Sequence, residues 1–342
     1  MPEPDENSSV PRRPMRARRY ALTVAAAVVG VIAVTFVVVQ AGSSKPADVS
    51  TAAAPAQSVN PTENTAANWP DIKLMSATQV LDRAADLSVG AADQPVGPGQ
   101  FRYVNEHAWF TSTMQIGETG YTYLWEKQIQ SWIPADEHEV WQETRKILNT
   151  GKFLGGTVPQ AQAPEPPVTS EDQGQWQGRC GNFFPDAKPA KKCDDPTDWD
   201  SFAFYTKLPH DPAALYAKLQ TLTKGHSSTP SALFDVGIQV LRTGLMPAGL
   251  RAQWYRALGK IPGIKVLAAE TNLDGRKGVA LGLADRHAIR QLIIDPVTGQ
   301  FIGERQVAGA EPDFPWLKPG TEIGTSAITT GVAGRLGVAP AK

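Results

Sequence analysis

Hydrophobic and polar positions change their spacing several times along this chain, and each change marks an element. Residues 21–41 (ALTVAAAVVGVIAVTFVVVQA) form one unbroken apolar run without a charged side chain. At about 1.5 Å of rise per helical residue, such a run spans about 30 Å, the thickness of a bilayer core, and predicts a transmembrane helix. Val39-Gln40-Ala41 offers a small-residue cleavage site, but the run is longer than the apolar core of a usual signal peptide. From residue 42 the pattern fades into Ala, Pro, Ser, Thr and Asn, the composition of a flexible tether that reaches to about residue 75.

Helical spacing returns at residue 77. Ser76 with Gln79 three positions later reads as a capping box, and Val80, Leu81, Ala84 and Leu87 then recur on one face. After Gly97-Pro98-Gly99 the period shortens to two. FRYVNEHAWF, GYTYLWEKQIQSWI and HEVWQETRKIL predict antiparallel strands, with Phe101, Tyr103, Asn105, His107 and Trp109 on one side of the first and Tyr121, Tyr123 and Trp125 on one side of the second. Trp109, Trp125, Trp132 and Trp141 are read as packing residues. Residues 155–200 show no sustained period and predict an irregular surface excursion.

Helices resume with Asp211-Pro212, an N-cap followed by proline at the first helical position, and Leu215, Leu219 and Leu222 share a face. Thr229-Pro230 repeats the device ahead of Phe234, Ile238, Leu241 and Leu245. Leu250, Trp254, Leu258 and Ile261 mark another helix, bounded by Met246-Pro247 and Pro262-Gly263. IKVLAAETN, KGVALGLA, AIRQLIID and QFIGERQV then read as a meander, turning at Asp274-Gly275 and again at Asp295 to Gly299. Residues 327–332 offer a further strand, and the chain from 333 to 342 reads as frayed.

Charge adds direction. Arg12, Arg13, Arg16, Arg18 and Arg19 precede the apolar run, and the first charge after it is Lys45. The positive-inside rule then places a basic tail, 1–20, in the cytoplasm and the rest outside, on a single-pass anchor in the cell membrane. The tail is too short to fold alone, and contact with anionic lipid heads is the ordinary use of such arginines. A net charge of −1 over the chain supplies no broad footprint for nucleic acid. The cysteines, Cys180 and Cys193, both fall on the outer side, where an oxidising compartment favours a disulfide worth up to about 3 kcal/mol.

Candidate chemistry is sparse. The sequence holds no G-x-S-x-G elbow, S-x-x-K, H-E-x-x-H or Walker loop. His107, His138, His210, His226 and His287 lack metal-ligand spacing. Glu137 and Glu139 around His138 read as a solvated hairpin end, and Arg251 and Arg256 as solvated or paired. The expectation is a non-enzyme with no catalytic residue, no cofactor and no metal.

Several stretches carry a resemblance: QVLDRAAD with GPGQFRYV, YLWEKQIQSWIPAD, LPHDPAALYAKL, LMPAGLRAQWYRALGKIPGIKV and IIDPVTGQFIGERQV, which together cover most of 76–308. In these the chain resembles a family of single-pass membrane proteins from actinobacteria, members of which are often encoded beside extracytoplasmic-function sigma factors. That resemblance implies a regulatory role and supplies no active site. The cytoplasmic tail here is shorter than in many members, which argues against a direct cytoplasmic grip on a sigma factor. The order of elements also looks like the periplasmic lipoprotein-carrier fold, in which an antiparallel half-barrel wraps around helices and leaves an apolar cavity. The resulting fold class is α+β, with an N-terminal transmembrane helix and then a half-barrel-like antiparallel sheet packed on a few α-helices, the extracytoplasmic domain running from 76 to 332. The expected function is extracytoplasmic binding in regulation or envelope sensing, with an envelope protein as partner. The alternative is a carrier of a lipid or other apolar ligand, which requires a sizeable apolar cavity between sheet and helices.

Overall fold

The capping signals are the most local expectations, and the computed structural model, which describes residues 72–91, 93–185, 191–223 and 229–341, contains each of them. Helix α1 (Ala77–Ala91) opens on a reciprocal capping box. The Ser76 N–H donates to Gln79 Oε1 at 2.8 Å, and the Gln79 N–H donates to Ser76 Oγ at 3.2 Å. A short helix follows much later, α2 (Phe202–Thr206), capped by Ser201. Asp211 accepts from the N–H groups of Ala213 and Ala214 at the start of α3 (Pro212–Leu222). Thr229 accepts from the Ala232 N–H at the start of α4 (Pro230–Arg242). Helix α5 (Ala248–Leu258) begins after Pro247, which has no side chain able to cap.

The strands make one antiparallel sheet. β1 (Phe101–Ile116) and β2 (Thr119–Pro134) pair along their whole length, from Phe101 opposite Pro134 to Ile116 opposite Thr119. β3 (Val140–Gly156) adds to β2 through several bulges, and β4 (Gly174–Arg179) adds to β3. A second meander comprises β5 (Lys265–Thr271), β6 (Lys277–Ala284), β7 (Ala288–Ile294) and β8 (Phe301–Ala308). The last strand, β9 (Glu322–Ala333), lies between β1 and β8 and joins the two meanders. The resulting order is β4-β3-β2-β1-β9-β8-β7-β6-β5.

The helices cover one face of this sheet. Val80, Leu81, Ala84, Leu215, Leu219, Phe234, Ile238, Trp254 and Leu258 are buried against Val104, Ile133, Leu281, Leu292 and Ile328 in a single cluster. On β1 the covered side is therefore that of Arg102, Val104, Glu106 and Ala108. The aromatic side, with Tyr103 and its partner Trp132, faces away and packs with Ala333, Phe101 and Leu336. The helix-side surface continues at the far end of β2 as Tyr121, Tyr123 and Trp125, covered by Val158 and Ala163. Trp125, Trp132 and Trp141 thus serve packing, each in a different cluster, whereas Trp109 is half-buried and belongs to none of them. The turn at Gly299 shows why glycine is needed there: its φ is 66°, and a Cβ would collide with the Ala84 carbonyl of α1.

Some expectations need revision. Residues 155–200 are not wholly irregular, because Gly174–Arg179 forms edge strand β4 and Gln160–Gln162 a 3₁₀ turn. Gly178 and Gly174 let the neighbouring Asn182 backbone and Trp176 ring approach, which breaks the apolar alternation that would reveal a strand. The C-terminus does not leave the sheet: the Trp132 Nε1–H donates to the Val338 carbonyl at 2.9 Å, and Leu336 covers Tyr103 and Trp132. At the other end, Ile72–Leu74 form a 3₁₀ turn, and Ile72 and Met75 already pack on the core ahead of Ser76. Cys180 and Cys193 are joined, with Cα atoms 5.1 Å apart. The tail 1–20, with its arginines Arg12 to Arg19, the apolar run 21–41 and the tether up to residue 71 lie outside the described residues. Among the described residues, no helix is long and apolar enough to cross a membrane.

Candidate functional site

The arrangement that most needs explaining lies where β1 begins, β2 ends and α5 starts. Pro247 leaves the first N–H groups of α5 without a local side-chain acceptor. Asp93, in the segment between α1 and β1, supplies one from a distance. Its Oδ2 accepts from the Ala248 N–H at 2.6 Å, and its Oδ1 accepts from Arg251 Nη2 at 2.9 Å. Arg251 also donates to the Met246 carbonyl at 3.1 Å. Asp93 and Arg251 are largely buried, with side chains 23% and 12% exposed. The carboxylate is therefore committed to the positive end of a helix and to a cation.

Arg102, the second residue of β1, stands beside this pair without an ion pair of its own among the described residues. Its Cζ lies 6.0 Å from the centre of the Phe202 ring. Burial pulls the guanidinium below its ordinary pKa; Asp93 opposes that shift and Arg251 adds to it. Around Arg102 opens a cleft of about 310 Å³, walled by Pro95, Val96, Pro134, Phe202 and Pro247. Arg102 and Asp93 also border a smaller inner chamber of about 30 Å³, against Leu241, Phe301 and Ile328. With one carboxylate and two guanidiniums, the site carries one positive charge in a partly apolar setting.

Between α4 and the sheet the interior is polar in the middle and closed by ion pairs. Arg242 Nε lies 3.1 Å from Glu106 Oε1 on β1, and its Nη1 donates to Glu304 Oε1 on β8 at 2.9 Å. Asp235 of α4 meets Arg290 of β7 at 2.6 Å. Burial pushes the Glu106 carboxyl up; Arg242 opposes this, and the neighbouring Glu304 charge reinforces it. Arg242 itself is held charged, chiefly by Glu106, against the cost of burial. Around this layer Phe234, Ile238, Leu258, Leu281 and Leu292 are fully buried. Side chains of α4 and of the sheet thus pack directly on one another around these ion pairs.

The remaining residues singled out in the sequence are scattered. His107, on the face away from the helices, sits between Glu126 at 2.9 Å and Asp274, at the turn after β5, at 2.6 Å. Burial opposes its protonation, but hydrogen bonds to Asp274 and Glu126 outweigh that and raise its pKa. His138 contacts Asp136 and Asp194 on an exposed surface, while Glu139 lies 3.8 Å from Arg179. His287 meets Asp313 at 3.3 Å. Arg256 pairs with Asp86 at 2.5 Å, as Arg251 does with Asp93, so both helical arginines are paired. Asp93 and Arg102 carry only a faint signal in the sequence: an acid just before Pro95, and an arginine on the stripe of β1 opposite the aromatics.

No family model matches the chain, and no curated protein matches it. Among solved structures, that of the Pseudomonas aeruginosa MucA/MucB complex aligns over 78% of this chain at 11% identity, with a TM-score of 0.21. The alignment spans 59% of that chain, less than two thirds of its length. A likeness of that degree bears on neither the fold nor the function of this chain.

Proposed function

We infer that this protein is a single-pass membrane protein whose extracytoplasmic domain binds a partner in the cell envelope and serves regulation or sensing, without catalysis. The apolar run at 21–41 behind five arginines supports the anchor and its orientation. The bond between Cys180 and Cys193 fits an oxidising compartment. The single observation that carries the binding reading is the packing between helices and sheet, where Phe234, Ile238, Leu281 and Leu292 are fully buried around the ion pairs of Arg242, so that recognition falls to the surface and to the cleft at Arg102. We take the nine-stranded antiparallel sheet as half-barrel-like in layout, with α4 packed on β6, β7 and β8.

The test is photo-crosslinking in intact cells, with the full chain carrying a crosslinking amino acid at Gln94 or Ala135 on the cleft rim. A discrete adduct with one envelope protein, identified by mass spectrometry, is expected. Native mass spectrometry of the full chain in nanodiscs supplies the contrast. A reproducible apolar adduct, removed by organic solvent, together with no crosslinked protein, would replace this reading with the carrier reading.

A further inference from the structure

The cleft at the start of β1 has an unbalanced charge and a defined shape. Asp93 is the nearby carboxylate, and its oxygens are already occupied by the Ala248 N–H and by Arg251. Arg102 shares its field but makes no ion pair of its own among the described residues. A partly buried guanidinium without a counter-ion costs free energy that an incoming anion recovers. The planar fork of arginine suits a carboxylate, which can accept two parallel bonds.

Charge chooses between oxyanions. The site offers a surplus of one positive charge, which a monocarboxylate neutralises. A phosphate dianion would leave a negative charge close to Asp93, where low local dielectric makes repulsion expensive. The walls choose the rest of the ligand. Pro95, Val96, Pro134, Pro247 and the Phe202 ring present apolar surface beside Arg102. At about 310 Å³ the cleft is at the small end of ligand pockets, which run from roughly 300 to 1,000 Å³. The inner chamber of about 30 Å³ has room for a bridging water behind the guanidinium.

We propose that this cleft binds a small monocarboxylate with a compact apolar body, the carboxylate on Arg102 and the body against Phe202 and Pro134. The inference rests on the reading of the domain as a binding module and names the chemistry of one of its ligands. A ligand that completes the charge balance here also bears on the start of α5, because Asp93 holds both the helix N-terminus and the cleft.

The test uses ligand-detected NMR on the full chain in nanodiscs, with empty nanodiscs as background. Benzoate is the probe, benzamide its uncharged isostere and inorganic phosphate the competing oxyanion. Benzoate is expected to bind at least about tenfold more tightly than benzamide, which lacks the charge, or phosphate, which overshoots it. Arg102→Gln is expected to weaken benzoate by at least about tenfold, with benzamide unchanged. Arg102→Lys keeps the charge, loses the fork and gives an intermediate loss; it also covers the case in which R102Q fails to fold. Equal binding of benzoate and benzamide overturns the proposal. So does phosphate binding in place of benzoate, unaltered benzoate binding by R102Q, or no benzoate signal above the empty nanodiscs. Crosslinking in cells reports on the protein partner separately, so failure here leaves the binding reading to be judged by that experiment.

Discussion

A guanidinium shared by two carboxylates sets the energetics at the residue scale. Arg242 is the counter-ion for both Glu106 and Glu304, with side-chain exposures of 28%, 13% and 19%. Removing the shared cation strands two acids beneath α4, whereas neutralising one acid leaves a balanced pair. Arg242→Leu is therefore expected to destabilise by about 3 kcal/mol, while Glu106→Gln should cost under about 1 kcal/mol, because it leaves Arg242 paired with Glu304. Urea unfolding of both variants checks the contrast, and equal losses would contradict it. His107 gives a pH dependence. Its folded pKa is raised, so its pairing with Glu126 and Asp274 contributes fully below the unfolded-state value of about 6.5 and fades as pH rises through the folded value. Wild-type stability is expected to fall relative to His107→Asn as pH increases across that window. Parallel curves for the two proteins from acid to mildly alkaline pH would show that the histidine is not coupled to folding.

At the scale of elements, starts and stops are legible in the sequence wherever chemistry is local. Ser76 with Gln79, Asp211-Pro212 and Thr229-Pro230 each satisfy backbone N–H groups within one turn, and each marks a helix start in the structure. The start of α5 follows a different rule. Its cap is Asp93, separated by 155 positions from Ala248, and no local pattern announces it. The same limit hides the covered face of β1. Arg102 and Glu106 make that stripe look solvated, and only Asp93 near the first and Arg242 beside the second, both brought in by tertiary contact, let it face the helices. β4 escapes a reading of the sequence because six residues, GQWQGR, carry too little alternation between glycines. Asp93→Ala is expected to cost about 2 kcal/mol, from the lost cap and the unpaired Arg251. Ser76→Ala should cost about 1 kcal/mol, since it removes an exposed local cap alone. Denaturant midpoints rank the two, and amide exchange should place the Asp93→Ala opening at the start of α5.

At the scale of the whole molecule, the chain closes its sheet with the last strand it makes. β1 to β4 and β5 to β8 are each built from neighbours in sequence, and nothing in their hydrophobic patterns says that they share a sheet. β9 does the joining, and its pattern predicts a strand without naming a partner. Thr325 is the residue common to both ladders, opposite Trp109 on one side and Arg305 on the other. A proline there removes an N–H and sets its ring in the middle of the sheet, where no edge can absorb it. Thr325→Pro is expected to cost at least about 3 kcal/mol and, more tellingly, to separate the two halves. Amide exchange in β1 and β2 reports on the first meander, and amide exchange in β6 and β7 on the second. In the wild type both probes should follow one transition, because the helix-covered core spans Val104 and Ile133 as well as Leu281 and Leu292. In the variant the β1–β2 transition should move to lower denaturant than the β6–β7 transition. A variant that loses stability but keeps the two transitions superimposed would mean that the helices, through Arg242 and its partners on β1 and β8, hold the halves together without β9.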